Sequence, residues 1–278
     1  MSCEHSPVRR GLLVAALVVL GALAIAALLA PWVAPHDPNA IDLGRKLQPP
    51  GKGYLLGTDH LGRDLWSRLL HGARVSLGTV LVIAALILVL SLAVGCVAGH
   101  AGGWVDAVLM RTCDVFLTFP TFILAMFLIG VLGTGLVNVI LAIALTHWAW
   151  YARIVRALVL SLKQRNYVLA ARVAGTSRSR ILVRHILPPV LAQLAILATL
   201  DIGHMMLHVS GLSFLGLGVQ PPTPEWGVMI NDARQYVWTQ PALILYPGLM
   251  IFLTVMAFNI PGDHLRDALD PVVRTQGA

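Results

Sequence analysis

VSLGTVLVIAALILVLSLAVGCVAG, residues 75–99, runs for 25 residues without a charged side chain. As an α-helix it would be about 37 Å long, enough to cross the roughly 30 Å hydrocarbon core of a bilayer. Lipid offers the backbone no hydrogen-bond partners, so a spanning run of this kind must satisfy its own and be a helix. Working outward, five more apolar runs follow the same logic: residues 11–34, 115–135, 136–151 continuing towards 160, 189–219 and 241–261. The expected fold is therefore an all-α membrane protein with six transmembrane helices. The composition agrees, with 57% hydrophobic and only 12% charged residues. A soluble domain is excluded.

Residues 1–34 form a tail and first helix, and 35–74 an external segment. Residues 75–262 form a five-helix core with a loop at 162–188, and 263–278 a second tail. The first apolar run exceeds the 7–15-residue core usual in a signal peptide, and Pro31 is a poor residue just after a cleavage site. It is read as a retained span.

Orientation follows from the basic residues, which favour the cytoplasmic side of short loops. Arg9 and Arg10 place the N-terminus inside, and six spans return the C-terminus to that side. Segment 36–74 holds six Lys/Arg and four Asp, nearly balanced, and falls outside. The net charge of +7 sits beside spans rather than on one soluble face, so no nucleic-acid partner is implied. The partner that composition does require is the lipid bilayer, crossed several times. Cys3, Cys96 and Cys113 show neither metal-ligand nor disulfide spacing.

The loop LKQRNYVLAARVAGTSRSRILVRHILP, residues 162–188, is different in kind. It carries six Lys/Arg and no acid, with Arg156 shortly before it. Asn166 is placed to cap a short helix. Tyr167, Val168 and Val173 would give that helix an apolar side, and Gly175 would end it in the left-handed conformation. Such a segment looks built to be held by a cytosolic partner. The chain itself has no Gly-x-x-x-x-Gly-Lys-Ser/Thr phosphate loop, no Gly-x-Ser-x-Gly elbow and no His-Glu-x-x-His pair. Energy for uphill transport would have to come from another subunit or an ion gradient.

Ala170-Ala171-x-x-x-Gly175, followed after nine residues by His185-Ile186-Leu187-Pro188, resembles the cytoplasmic coupling loop of ATP-binding-cassette importer permeases. The resemblance implies two short coupling helices between spans four and five, seated in a groove of an ATPase subunit. The family usually has Glu before the two alanines and Ile three residues before the proline; here Leu169 and His185 stand there.

Further motifs narrow the resemblance to the peptide/nickel branch. They are residues 56–64 (LGTDHLGRD), Ser67-Arg68, Gly72-Ala73-Arg74, Ser76-Leu77, Phe119-Pro120, residues 212–218 (LSFLGLG) and Glu225-Trp226-Gly227. Residues 149–153 (AWYAR), 199–208 (TLDIGHMMLH) and 231–236 (NDARQY) are similar to its nickel-importing C-type permeases. The resemblance implies a second, homologous permease subunit, two ATPase subunits carrying ATP and Mg, and an extracytoplasmic nickel- or peptide-binding protein. It implies no cofactor on this chain and no catalysis by it.

Asp201, His204 and His208 fall at i, i+3 and i+7, within about 60° of helical arc, with Met205 and Leu212 on the same side. Ionisable groups in a span usually face a bundle interior or a wet cavity, and imidazole suits nickel. Asp201, His204, Met205 and His208 are the candidate translocation path, with Asp201, His204 and His208 as transient metal ligands. The plain alternative is that Asp201 and a histidine only pair with each other or with backbone groups inside the bundle. A membrane metalloenzyme would also need a general base, and the spans offer no suitable Glu; a passive channel would not need the coupling loop.

Around span four, His147, Trp148, Trp150 and Tyr151 are expected as an interfacial belt, with Arg153 and Arg156 reaching for headgroups. Pro120 is expected to kink span three. The charged residues of segment 57–68 read equally as a rim meeting the binding protein or as a solvated surface helix.

Overall fold

The computed structural model describes residues 7–51 and 53–269; Cys3 and the ends of both tails lie outside them. Regular structure among these residues is helical, apart from the isolated bridges Gly51–Tyr54 and Thr58–Asp64. The order is α1 (Pro7–Val33), α2 (Leu65–Ala101), α3 (Gly103–Thr118), α4 (Thr121–Leu132), α5 (Leu136–Leu162), α6 (Asn166–Val173), α7 (Arg178–Ile181), α8 (Leu187–Phe214), α9 (Trp226–Ala233) and α10 (Ala242–Leu269).

Among the described residues, five helices are long and apolar enough to cross a membrane, and a sixth span arises if α3 and α4 count as one. Between them the chain turns by 90°. Pro120 therefore breaks span three rather than kinking it. The residue before a proline is driven out of the helical region, and Phe119 is extended, at φ −98° and ψ 141°. Helix α4 then restarts on the Pro120 carbonyl, which accepts from Leu124 N–H. At the other end, α10 continues to Leu269, past the boundary expected at residue 262.

The chain divides into two compact units. Unit 1 comprises Met1–Val82, Ile129–Ile140 and Thr199–Ala278; unit 2 comprises Ile83–Leu128 and Leu141–Ala198. In unit 1, α1 packs along α10, and Arg9 meets Asp267 at 3.4 Å, so the two ends of the described chain lie together. Helix α8 lies close to α10 because Gly203 has no side chain: a methyl there would meet Asn259 and Val255 at 3.1 Å.

In unit 2, Gly95 and Gly99 stand four residues apart on α2. A methyl at either would run into Val155 or Val159 of α5, so the glycines allow the close approach common between membrane helices. Helix α3 is held to α5 by Arg156, which forms a two-pronged ion pair with Asp106 at 2.5 and 2.6 Å, and by Arg153–Asp114 at 3.4 Å. The expectation that these arginines reach for headgroups is thereby corrected: each has a carboxylate on α3. The aromatic belt is corrected too. Trp148 and Tyr151 are buried, Trp148 against Cys113 and Phe116, while Trp150 is the exposed member. The Tyr151 hydroxyl donates to the Leu197 carbonyl of α8 at 3.3 Å.

Candidate functional site

Segment 162–188 lies in unit 2 and is built by local rules. Helix α6 ends in a Schellman arrangement: Thr176 N–H donates to the Ala171 carbonyl at 3.0 Å and Gly175 N–H to that of Arg172 at 3.1 Å. Gly175 has φ +80°, as the sequence predicts, and open space where a side chain would begin. Asn166 is not the cap. It is the first helical residue, and Arg165 precedes it in extended conformation without a side-chain hydrogen bond.

Nor do Tyr167, Val168 and Val173 make one buried side. Val168 is inside, Tyr167 is half exposed and Val173 is 90% exposed. Leu169, standing where the family usually has Glu, and Val183 are also exposed. Apolar surface therefore stands out among Arg172, Arg178, Arg180 and Arg184, all exposed.

The second short helix is not separate. Helix α7 passes through a π-helical turn, Leu182–Ile186, straight into α8, making one helical stretch Arg178–Phe214. Pro188 and Pro189 have no N–H to return to residues 184 and 185, and their rings crowd those carbonyls. The turn widens instead, and Leu187 N–H bonds back to Leu182. Leu187 and Pro188 thus sit where the exposed segment joins the span. At its other root, Lys163 donates to the Gly99 and His100 carbonyls at 2.9 and 3.1 Å, capping the end of α2. Burial, then the nearby Arg172 and Arg178, holds the Lys163 ammonium below its ordinary pKa.

The polar face of α8 belongs to unit 1. His204 Nδ1 lies 3.5 Å from Asp201 Oδ1; the His204 side chain is 71% exposed and that of Asp201 15%. His208 is half-buried, whereas Met205 is buried. Exposure therefore falls steadily around the helix from His204 to Met205, and Met205 is packed rather than presented. The Gly203 side, which meets α10, is turned away from this face. Among the described residues no group of three or more His, Cys, Asp or Glu is placed to hold a metal ion. Asp201 and His204 come together as a pair; a three-ligand site with His208 is not formed.

The sequence reading missed a buried cluster of charged side chains. Segment 57–68 is no solvated helix. Arg63 and Arg68 are 2% and 1% exposed, and Asp59 is buried with them. Arg63 donates to Asp59 at 2.6 Å and to Asp232 at 3.2 Å; Arg68 lies 3.4 Å from Asp59 and donates to the Pro38 carbonyl at 3.0 Å. Asp59 also accepts from the N–H groups of Leu61 and Arg63. The signal was the alternation of opposite charges at 59, 63, 64 and 68, with Asp232 far along the chain.

Glu225 is fully buried as the N-cap of α9. It accepts from Val228 N–H at 2.9 Å and from Ser76 of α2 at 3.2 Å, while Trp226 donates to the Leu69 carbonyl at 3.2 Å. Burial raises the Glu225 carboxyl above its ordinary range, against the hydrogen bonds that lower it. Folding therefore favours protonation of this carboxyl relative to the unfolded chain, and stability falls as pH rises from the ordinary glutamate value to the raised one. Glu225→Gln, with no charge to bury, is expected to keep neutral-pH thermal stability and remove this part of its pH dependence. Glu225→Ala leaves the Val228 N–H and Ser76 hydroxyl unmet and is expected to lose about 1–3 kcal/mol. Melting of the purified protein across pH checks both.

The sequence profile described as "Binding-protein-dependent transport system inner membrane component" matches residues 91–275. That described as "N-terminal TM domain of oligopeptide transport permease C" matches residues 8–50. The chain is 58% identical over 263 residues to the nickel transport system permease protein NikC of Escherichia coli strain K12, covering 95% of each chain. It is 40% identical over 273 residues to the glutathione transport system permease protein GsiD of Pectobacterium atrosepticum, covering 98% of this chain and 89% of the other. It is 41% identical over 260 residues to the probable D,D-dipeptide transport system permease protein DdpC of E. coli K12, covering 94% and 87%. With its apolar helices, the chain is a multi-pass inner-membrane protein and belongs to the binding-protein-dependent importer permeases, in the peptide/nickel family of ATP-binding-cassette transporters.

Proposed function

We propose that this chain is the transmembrane permease subunit of an ATP-driven importer that moves nickel, free or as a small chelate, across the inner membrane. The observation that carries the cargo is the 58% identity, over 95% of the chain, to a nickel transport permease. The ATP-driven mechanism is supported by the exposed coupling segment, with Ala170, Ala171 and Gly175 forming and ending α6 and Leu187-Pro188 joining it to α8. In this reading ATP and Mg are held by two ATPase subunits and the chain binds no cofactor of its own. A second permease subunit completes the pathway, and an extracytoplasmic binding protein delivers cargo. Both termini lie in the cytoplasm, which fits Arg9 and Arg10 at one chain end and the contact of that end with Asp267.

Asp201, His204 and His208 line the path in this proposal. A site that must release its cargo need not be a closed metal cage, so an exposed His204 backed by Asp201 suits passage rather than storage. Changing Asp201 and His204 together to Ala is expected to lower nickel uptake about tenfold, the equivalent of about 1.4 kcal/mol, with ATPase association unchanged. Wild-type uptake would remove these residues from the path. Peptide transport is the competing reading, favoured by the 40–41% identical relatives named for glutathione and D,D-dipeptide. Labelled peptide taken up in preference to nickel would establish it.

A further inference from the structure

Beside α1, within unit 1, an open groove of about 560 Å³ runs between that helix, α2 and Phe258 of α10. Its wall is apolar from Leu20 to Leu28 on α1 and from Leu77 to Leu81 on α2, with Trp32 and Arg74 at one end. Gly78 keeps it open, since a side chain begun there would meet nothing within 4 Å. Its volume falls in the roughly 300–1,000 Å³ range of small-molecule sites. From Leu20 to Trp32 it extends twelve residues, about 18 Å along the helix, close to the roughly 15 Å depth of one leaflet.

Arg74 is the one charged side chain of this lining, is exposed, and makes no ion pair or hydrogen bond among the described residues. The groove contains no carboxylate to meet it. A guanidinium at the mouth of an apolar, leaflet-deep groove calls for an anion carrying a long apolar chain. Its planar fork matches a phosphate diester, and Trp32 beside it suits headgroup depth.

We propose that this groove holds one anionic phospholipid of the leaflet beside segment 35–74, its phosphate on Arg74 and an acyl chain along Leu28, Gly78 and Leu81. The lipid covers part of the α1 surface that the chain leaves exposed, and it is independent of what the transporter carries.

The test is native mass spectrometry of the complete transporter purified in detergent, titrated with phosphatidylglycerol or with phosphatidylcholine of the same chains. Phosphatidylglycerol, whose phosphate charge is uncompensated, is expected to remain bound; phosphatidylcholine has the same diester, but its choline cation opposes the Arg74 charge, and it is expected to be lost first. Arg74→Gln is expected to weaken retention about ten- to a hundredfold, the worth of charge-assisted hydrogen bonds. Gly78→Leu fills the groove while keeping the Arg74 charge and is expected to abolish retention. Size-exclusion profiles verify that both variants remain assembled. Equal retention of the two lipids, or of phosphatidylglycerol by wild type and Arg74→Gln, would overturn the proposal. So would efficient disulfide cross-linking of Trp32→Cys to cysteines placed along a helix of another permease subunit, which would put protein in the groove.

Discussion

An Arg63→Met variant is expected to lose about 3–5 kcal/mol of stability, because it strips a buried carboxylate cluster of its main cation. Asp59 would keep Arg68 at 3.4 Å but lose the 2.6 Å bond, and Asp232 would keep only a 3.9 Å approach to Arg68. Asp59→Asn should cost a similar amount, leaving two buried guanidinium groups to share Asp232. Arg45→Met is the control. Its pair with Asp42 is half exposed on both sides, and such solvent-screened surface pairs contribute little to stability. Heating membranes in mild detergent and following the folded fraction by size exclusion separates the cases. Equal melting of Arg63→Met and wild type would show that burial, not charge pairing, holds this segment.

The second large effect is expected at the tip of α6. Val173 is 90% exposed in the isolated chain, so in the proposed complex it is free to enter an ATPase groove. Full burial of a valine is worth about 1.5–3 kcal/mol, which corresponds to roughly ten- to a hundredfold in association. Val173→Asp loses that contribution and adds a carboxylate to a segment that has none. Co-purification of the ATPase should fall by that factor, while the permease itself melts normally. Gly175→Ala should do far less. Its new methyl has open space, and only the left-handed backbone, at about 1–2 kcal/mol, resists it. Undiminished co-purification by Val173→Asp would displace α6 from the interface.

Much of the fold was legible because membrane spans are dictated by solvent: 25 uncharged residues have few alternatives in lipid. Gly175 was legible for a similar reason, since a short helix followed by glycine has a local solution. What the sequence hid was long-range. Arg156 and Asp106 are 50 residues apart, and Arg63 and Asp232 are 169 apart. No local pattern says that charges so far apart in the chain will meet. Pro120 marked its position, but whether a lost hydrogen bond yields a bend or a 90° corner depends on packing around it. On α8 the spacing placed Asp201, His204, Met205 and His208 within one arc, yet an arc has edges. The structure turns Met205 into the core and His204 out.

Uptake of radiolabelled nickel by the complete transporter, reconstituted with its binding protein, tests the central proposal most directly. Accumulation that requires ATP, stops when the ATPases are inactivated and falls in the Asp201→Ala/His204→Ala variant is the result expected. Uptake that proceeds equally without ATP, or transport of labelled peptide with none of nickel, would contradict it.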